Sequence, residues 1–279
     1  MGMLNPTLIG DASSFYPTNY LSEEQDSKKS TSRKGFDLEK WYRYNQYKFD
    51  FKLLERSTGI TLGRASSYVD IGCGSGERVT FVSEQGCKEA YGVDKFDFAK
   101  IKSKAEASII NSDILEYKPA KKIEITSLFH VLEHLENPHQ ILTHLQKHVV
   151  KKDGHLIVQI PNYHSFERHI FREKWYGLDV PRHLWQYNEK SIRKLLEDSG
   201  FKVNSVFQLG APLHPVTLVP SMFKELDVQR IWVNRSHGDS YKKLMMLLWA
   251  FLTVLTIPLA LVQNLFKRSS MLTVVASKK

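Results

Sequence analysis

Tyr68-Val69-Asp70-Ile71-Gly72-Cys73-Gly74-Ser75-Gly76-Glu77 runs from apolar residues into a glycine loop and on toward a helix. Residues 68 to 71 read as a buried strand, and Glu77 to about Gln85 as the helix that follows the loop. Glycines at alternate positions allow a sharp turn and a close ligand approach, because no Cβ stands in the way. The dinucleotide fingerprint needs a small residue at position 77, where this chain has Glu77. Asp70 points the same way: a carboxylate entering the loop opposes a pyrophosphate and suits a cationic ligand.

Working outward, a second carboxylate, Asp94, closes the next expected strand (Ala90 to Val93), 22 residues after Gly72. A doubly wound sheet places its ribose-binding acid at that point. From Ser66 onward, strand and helix patterns alternate, which implies a parallel sheet with helices on both faces. Strands are expected near 67–71, 89–94, 107–111, 123–129, 154–160, 202–209 and 271–277. Residues 36 to 57 are helical in pattern and crowded with Trp41, Tyr42, Tyr44, Tyr47, Phe49 and Phe51, a density that on a helix usually means packing. Asn137-Pro138 opens a helix expected to end near Lys152-Asp153-Gly154, and a helix over 189–199 stops at Gly200.

Residues 66 to 209 resemble the class I S-adenosylmethionine-dependent methyltransferases, and within them the bacterial branch often associated with polysaccharide and lipid biosynthesis. The matching stretches are VDIGCGSG, YGVD, NSDILEY, SLFHVLEHLENP, DGHLIVQIPN and GLDVPRHLWQYNEKSIRKLLEDSGF, in the family's order. The resemblance implies a Rossmann-like α/β fold with a doubly wound, mostly parallel seven-stranded sheet. It implies S-adenosylmethionine as cofactor, a ligand with an ammonium, a sulfonium and no phosphate. It implies cofactor contacts from Asp70, Gly72, Cys73, Gly74, Gly76, Asp94, Lys95, Asp113, Ile114, Phe129 and His130. Asp113 matches the position that accepts the adenine amino group, with Ile114 against the ring. By itself, the Ser112-Asp113 pair after a strand is an ordinary helix cap.

His130-Val131-Leu132-Glu133-His134 follows the fourth strand, at the mouth where ligands of open α/β sheets collect. Three readings stand side by side. The pattern His-x-x-Glu-His also spells an inverted zinc-protease motif, whose context is a helix rather than a strand end. Related ubiquinone-biosynthesis and small-RNA methyltransferases carry Glu-x-x-Glu-His as metal ligands, but His130 replaces the first Glu, so no metal is expected. His130 or His134 could be a general base, since imidazole titrates near neutral pH. Glu133 and His134 could instead hold the loop around the methionine moiety. His164, after Pro161-Asn162, faces the same mouth, and His183 lies in the insert Gly177 to Leu184, so the base candidates are His130, His134, His164 and His183. Trp175, Tyr176, Arg182, His183 and Trp185 equip that insert to stack on, or hydrogen-bond to, sugars and rings. Pro181-Arg182-His183-Leu184 could equally be lid structure, with Arg182 paired to Asp179.

The 42% apolar content supports a real core, and two cysteines provide neither a disulfide framework nor a metal quartet. A reducing cytoplasm is the expected setting, with no signal peptide read in residues 1 to 14. The formal net charge is +9, and residues 201–279 carry ten Lys/Arg against three Asp/Glu. Those cations bracket an apolar run, which argues for a membrane face and against nucleic acid. Leu244 to Phe266 is 23 residues without a charge, flanked by Lys242-Lys243 and Lys267-Arg268. It would reach about 35 Å as a helix. Strand 271–277 must rejoin the sheet, and basic flanks at both ends favour both being cytoplasmic. With Pro258 near the middle, the expectation is a monotopic hairpin or interfacial helix pair. The domain reading is an irregular arm over 1–35, a methyltransferase domain over 36–209 plus 269–279, and a helical insert over 210–268. The expected activity is O-methylation of a small-molecule, saccharide- or lipid-linked acceptor at the cytoplasmic membrane surface, contacted through 244–266. The rivals are a non-catalytic methyltransferase-like binding module and a methyltransferase acting on a soluble small molecule.

Overall fold

The computed structural model describes residues 38–95, 108–209, 217–227, 231 and 238–279. The arm expected over 1–35, with its aromatic segment Tyr16 to Tyr20, lies outside them. Seven strands make one sheet: β1 (Ser67–Ile71), β2 (Glu89–Asp94), β3 (Ser108–Asn111), β4 (Ile123–Phe129), β5 (Val150–Pro161), β6 (Phe201–Phe207) and β7 (Met271–Lys278). Their order is β3-β2-β1-β4-β5-β7-β6. The first five pair in parallel, and β7 runs antiparallel to both β5 and β6. This is the doubly wound, mostly parallel sheet expected from the sequence.

Alternation along the strands divides the core. Val69, Ile71, Leu128, Val158 and Val274 face one layer, where α3 (Pro138–His144) and α5 (Glu189–Asp198) bring Leu142, Ile192 and Leu196. Tyr68, Ile125, Ile157 and Val275 face the other, covered by α1 (Leu38–Thr58) and α2 (Glu77–Glu84). The aromatic helix α1 does pack. Phe51 stands 5.7 Å from Tyr68 and 6.0 Å from Phe129, and Tyr47 lies 5.6 Å from Phe81, centroid to centroid. Trp41, by contrast, is exposed.

Two local expectations are corrected. The α3 segment does not run on to Gly154: it closes through a π-type turn over Leu145–Val149, and β5 starts at Val150. Asp153 (φ +61°) and Gly154 form an irregularity where the register with β4 shifts, and a Cβ at Gly154 would meet the Glu124 and Ile123 carbonyls at 3.1 Å. Buried Val149 and Val150 hold the chain in the sheet, so the glycine there serves a bulge rather than a helix end. Asn137 precedes α3 but gives no side-chain cap, whereas Asn188 and Ser191 form a reciprocal capping box on α5.

The apolar segment is neither a hairpin nor a helix pair. It is one rod, α7 (Asp239–Leu265), continuous through Pro258. The missing proline N–H costs only the partner of the Val254 carbonyl, and the rest of the ladder carries the rod. Its amphipathicity is inverted. The residues turned to the protein include the polar Thr253 and Gln263, both buried, with Thr256 donating to the Thr253 carbonyl at 2.9 Å. Leu244, Leu247, Phe251, Val254, Leu255, Val262 and Leu265 are exposed. Only 6% of its most apolar window is buried, and it is long and apolar enough, by composition, to cross a membrane. At its C-terminal end the rod is anchored to α4 (Phe166–Phe171) and α6 (Leu218–Met222). Phe166 meets Phe266 edge-on at 6.0 Å, and Phe166 N donates to the Arg268 carbonyl. Beneath that contact Glu167 is buried and accepts from Thr217 Oγ1 at 2.6 Å, with Gln263 and Ser270 facing the same carboxylate. Burial pushes the Glu167 pKa up to about 7.

Candidate functional site

The glycine loop sits where β1 ends. Gly72 (φ +71°) has no room for a side chain, since a Cβ would stand 2.5 Å from Val131 Cγ2. Gly74 (φ +52°) has nothing within 4 Å of where its Cβ would be, so it leaves bare backbone beside open space. Gly74 N donates to Asp94 Oδ2 at 3.0 Å, which ties the loop to the end of β2. Gly76 (φ +74°) starts α2 from the left-handed region. Asp70, on the Tyr68 face of β1, is buried and accepts from Ser127 Oγ at 2.6 Å, and Tyr68 donates in turn to Ser127 at 2.8 Å. Burial raises the Asp70 pKa to about 6, against the lowering effect of Arg78.

A cavity of about 240 Å³ opens above this loop, lined by Asp70, Gly72, Cys73, Gly74 and Phe129 from the expected cofactor set. Sequence reasoning missed the other half of its wall: Arg43, Tyr47, Ser75, Glu77 and Arg78. The signal was present for Arg78, one residue inside the helix that the loop feeds. Tyr47 and Arg43 come from α1, whose aromatics also serve packing and so gave no separate cue. The cavity is smaller than the roughly 300–1,000 Å³ of whole small-molecule sites, so it suits one end of a ligand. An ammonium-bearing end fits a bare glycine loop and a buried carboxylate. Beyond it lie Asp94, Lys95, whose carbonyl accepts from Asn111 Nδ2, and Asp113, whose Oδ1 caps its own turn by accepting from Leu115 N at 2.8 Å. Ile114 packs partly against the core.

Three of the four candidate histidines gather around Glu133. His130 leaves β4 with φ +56°, and its Nδ1 stands 3.5 Å from Glu133 Oε1. Glu133 is buried, and among the described residues neither carboxylate oxygen has a hydrogen-bond partner. Burial would raise its pKa, but the neighbouring imidazoles of His130, His183 and His134 outweigh burial and hold it below the usual range. His134 Nδ1 lies 3.0 Å from the Arg182 carbonyl, and His183 Nδ1 lies 2.9 Å from the Gly177 carbonyl. A carbonyl can only accept, so both Nδ1 atoms carry hydrogen, which in a neutral His134 ring leaves Nε2 as the acceptor. The two rings meet edge-on at 4.6 Å. Burial lowers the His134 pKa, so the ring is neutral at pH 7. One donor atom each from Glu133, His134 and His183 lie within 4.8 Å of one another, a spacing that could also hold a cation. His164 is exposed on the loop after β5 and does not join this group.

The insert is locked onto the cluster. Leu184 N donates to the Glu133 carbonyl at 2.8 Å, and Trp185 Nε1 donates to the Leu135 carbonyl at 2.8 Å. Arg182 pairs with Asp179 at 2.8 Å. Trp175 is buried, so it is wall rather than stacking surface.

The comparisons with known proteins agree with this geometry. The chain is 25% identical over 208 residues to an uncharacterized protein of Methanocaldococcus jannaschii, covering 73% of this chain and 90% of that one. Its fold is similar to the plantazolicin methyltransferase in complex with S-adenosylhomocysteine (TM-score 0.53, 15% identity, 96% of this chain and 93% of that). It is also similar to an S-adenosylmethionine-dependent methyltransferase of Thermotoga maritima (TM-score 0.51, 14% identity, 93% and 99%). The profile of the family described as a methyltransferase domain matches residues 39–206, the whole span from α1 to β6. The chain therefore belongs to that family, and it is a class I methyltransferase whose cofactor is S-adenosylmethionine.

Proposed function

We propose that the enzyme methylates an oxygen of a saccharide- or lipid-linked acceptor at the cytoplasmic face of a membrane. The observation that carries this reading is the inverted helix α7, whose apolar side chains are exposed and whose chain enters β7 beside the carboxyl end of β5, the end of the sheet on which the site opens. The α7 C-terminus joins β7 where Met271 pairs with Pro161 at the end of β5, and His130 N bonds to Gln159 beside it. An amphiphile resting in lipid would thus meet the insert with its head group.

When bound, the cofactor supplies a methyl group already activated on a sulfonium. The chain's own residues bind, align and keep protons. Asp70 faces the ammonium of the cofactor's amino-acid end, Asp94 the ribose, and Asp113 with Ile114 the adenine. His134, neutral and with Nε2 in the acceptor form, takes the acceptor's hydroxyl proton, and Glu133 stabilises the imidazolium that results. The insert from Trp175 to Trp185 excludes water and aligns the acceptor. The domain reading follows: 36–209 plus 269–279 form the catalytic body, and 210–268 the membrane element.

Membranes supplied with methyl-labelled cofactor and the enzyme should yield labelled, organic-extractable product. Activity confined to soluble amines would refute the reading. A chelator should leave turnover within about twofold. Loss in chelator, restored by a divalent ion, would instead make Glu133, His134 and His183 a metal site, the one alternative that their convergence favours.

Asp70 also predicts a pH dependence. A cationic ligand prefers the ionised carboxylate, so cofactor affinity should be level above pH 7 and fall as pH drops through about 6. Below that it should fall by up to about tenfold per pH unit. Stability of the free protein has the opposite sign. The folded-state pKa is raised above 3.8, so stability from this group grows as pH falls from about 6 toward 4. Calorimetric titration from pH 5 to 8 checks the first trend. Asp70→Asn should weaken binding and flatten it, and a profile unchanged in that variant would dismiss the assignment.

A further inference from the structure

Away from the glycine loop, the segment after β5 is stitched to the foot of α7. Asn162 N donates to the Ser270 carbonyl at 2.7 Å, Asn162 Nδ2 to the Ser269 carbonyl at 2.9 Å, and Phe166 N to the Arg268 carbonyl at 3.1 Å. The same segment is tied to the histidine cluster. Tyr163 N donates to the Tyr187 carbonyl at 2.8 Å, and Leu184, just upstream of Tyr187, donates its N to the Glu133 carbonyl. A short platform thus joins the exposed apolar end of α7, at Leu265 and Phe266, to Glu133 and its imidazoles.

The platform is cationic. Lys267 and Arg268 are exposed, and the Arg268 guanidinium lies 5.5 Å from the centroid of the Phe166 ring. Arg168, from α4, lies 4.8 Å from the Tyr163 ring centroid, and its Nη2 donates to the Tyr163 hydroxyl at 3.0 Å. Its backbone is fixed too, because Arg168 N donates to the buried Ser165 Oγ at 3.1 Å. Among the described residues, none of these three cations has a carboxylate within ion-pair distance. Glu167, the acid next to Arg168 in sequence, is buried and accepts from Thr217 Oγ1 instead.

A guanidinium offers five donors, and the Tyr163 phenol takes one. Arg168 Nε is buried without a partner among the described residues. A buried donor left unmade costs more than an ordinary hydrogen bond returns, so the arrangement is complete only with an added acceptor. An arginine held against an aromatic ring suits two-point recognition of a carboxylate or a phosphate. The place of Arg168 decides between them. An amphiphile with its tail beside α7 and its reacting end at His134 would lay its linkage across the platform. A carboxylate ends a chain and loses its charge when esterified, whereas a phosphate diester joins two groups and stays anionic.

We propose that Arg168 binds a phosphate linking the apolar and the methylated ends of the acceptor, with Lys267 and Arg268 drawing that anionic group to the platform. This rests on the membrane-face reading and names the substrate class within it, a lipid phosphate. Arg168 is then a specificity-determining residue that takes no part in proton transfer.

The test is flotation of the full chain with vesicles of neutral digalactosyldiacylglycerol, alone, with phosphatidylglycerol, or with oleate at matched surface potential. Wild type should bind all of them through α7. It should prefer phosphatidylglycerol to oleate by about 10–100-fold, the scale of hydrogen bonds to a charged group. Arg168→Gln should erase that preference, while binding to the oleate vesicles falls by no more than about fivefold, the share of one surface charge. Replacing Lys242 and Lys243 by Gln, at the far end of α7, should weaken both anionic vesicles alike. Equal binding of the two anionic vesicles by wild type would overturn the assignment, as would an Arg168→Gln variant that weakens both equally. Inorganic phosphate should compete only far above the concentration of the lipid-borne group. Competition at equal concentration would give the site to a soluble phosphorylated molecule and overturn the lipid source. Should Arg168→Gln fail to fold, the wild-type preference decides, and Arg168→Lys, which keeps the charge without the fork, should reduce it. Failure to float with any vesicle would remove the membrane reading and this assignment together, whereas floating with all alike would remove this assignment only.

Discussion

His134→Ala is expected to lower turnover by about 10²–10⁴-fold while leaving cofactor affinity within about threefold. The side chain stands in the Glu133 cluster rather than on the glycine loop, so it should bear on chemistry and not on loading. Its ring is fixed from behind by the Arg182 carbonyl, which sets the tautomer with Nε2 as acceptor. Single-turnover rates with saturating cofactor, next to a binding titration, separate the two effects. A drop confined to affinity would place His134 in cofactor support instead. The pH profile adds a second check. The His134 pKa is lowered, so the wild-type rate should persist somewhat below the ordinary imidazole range before protonation removes the base.

Replacing Leu247, Phe251 and Leu255 together by Glu should move the protein from the membrane pellet to the supernatant. All three project from the outward face of α7 and are well exposed. Burial of each such side chain in lipid contributes about 1.5–3 kcal/mol, so partitioning should fall by more than about 10³-fold. The thermal midpoint should barely move, because these side chains are mostly exposed among the described residues. High salt should not release the wild type: screening weakens the attraction of Lys242, Lys243, Lys267 and Arg268 to anionic lipid but not apolar burial. A wild-type protein that stays soluble and self-associates through this face would refute the membrane reading.

The sheet was legible because its strands carry apolar runs, closed in β1, β2 and β5 by Gly72, Asp94 and Pro161, and the loop after β1 could be placed by its glycines alone. Asp70, Gly72 and Asp94 were legible for the same reason, being bound to that loop by spacing. The partnership of Asp50 with Arg78 was not, since 28 residues separate them and only the docking of α1 joins them. Nor was the meeting of His134 with His183, which depends on a fold-back of the insert. Pro258 misled, because propensity penalises proline in a rod without registering that the exposed side of a helix tolerates a lost bond. Gly154 misled likewise, since a glycine after Lys and Asp signals a helix end and a β-bulge in the same letters.

The place of β7 between β5 and β6 bears on how the molecule is made. Among the described residues β6 pairs with β7 and with no other strand, so residues 201–207 have no place in that sheet until residues 271–278 have been synthesised. The 27 residues of α7 leave the ribosome before that strand does. Through this interval the edge of β5 is unpaired and the apolar rod is already in the open, the two surfaces that aggregation exploits. Whatever covers the outward face of α7 is therefore offered to it before the domain closes. Early capture of that rod would hold the nascent chain apart from its neighbours until its last strand arrives, so the segment proposed as anchor for the finished protein would also shield the unfinished one.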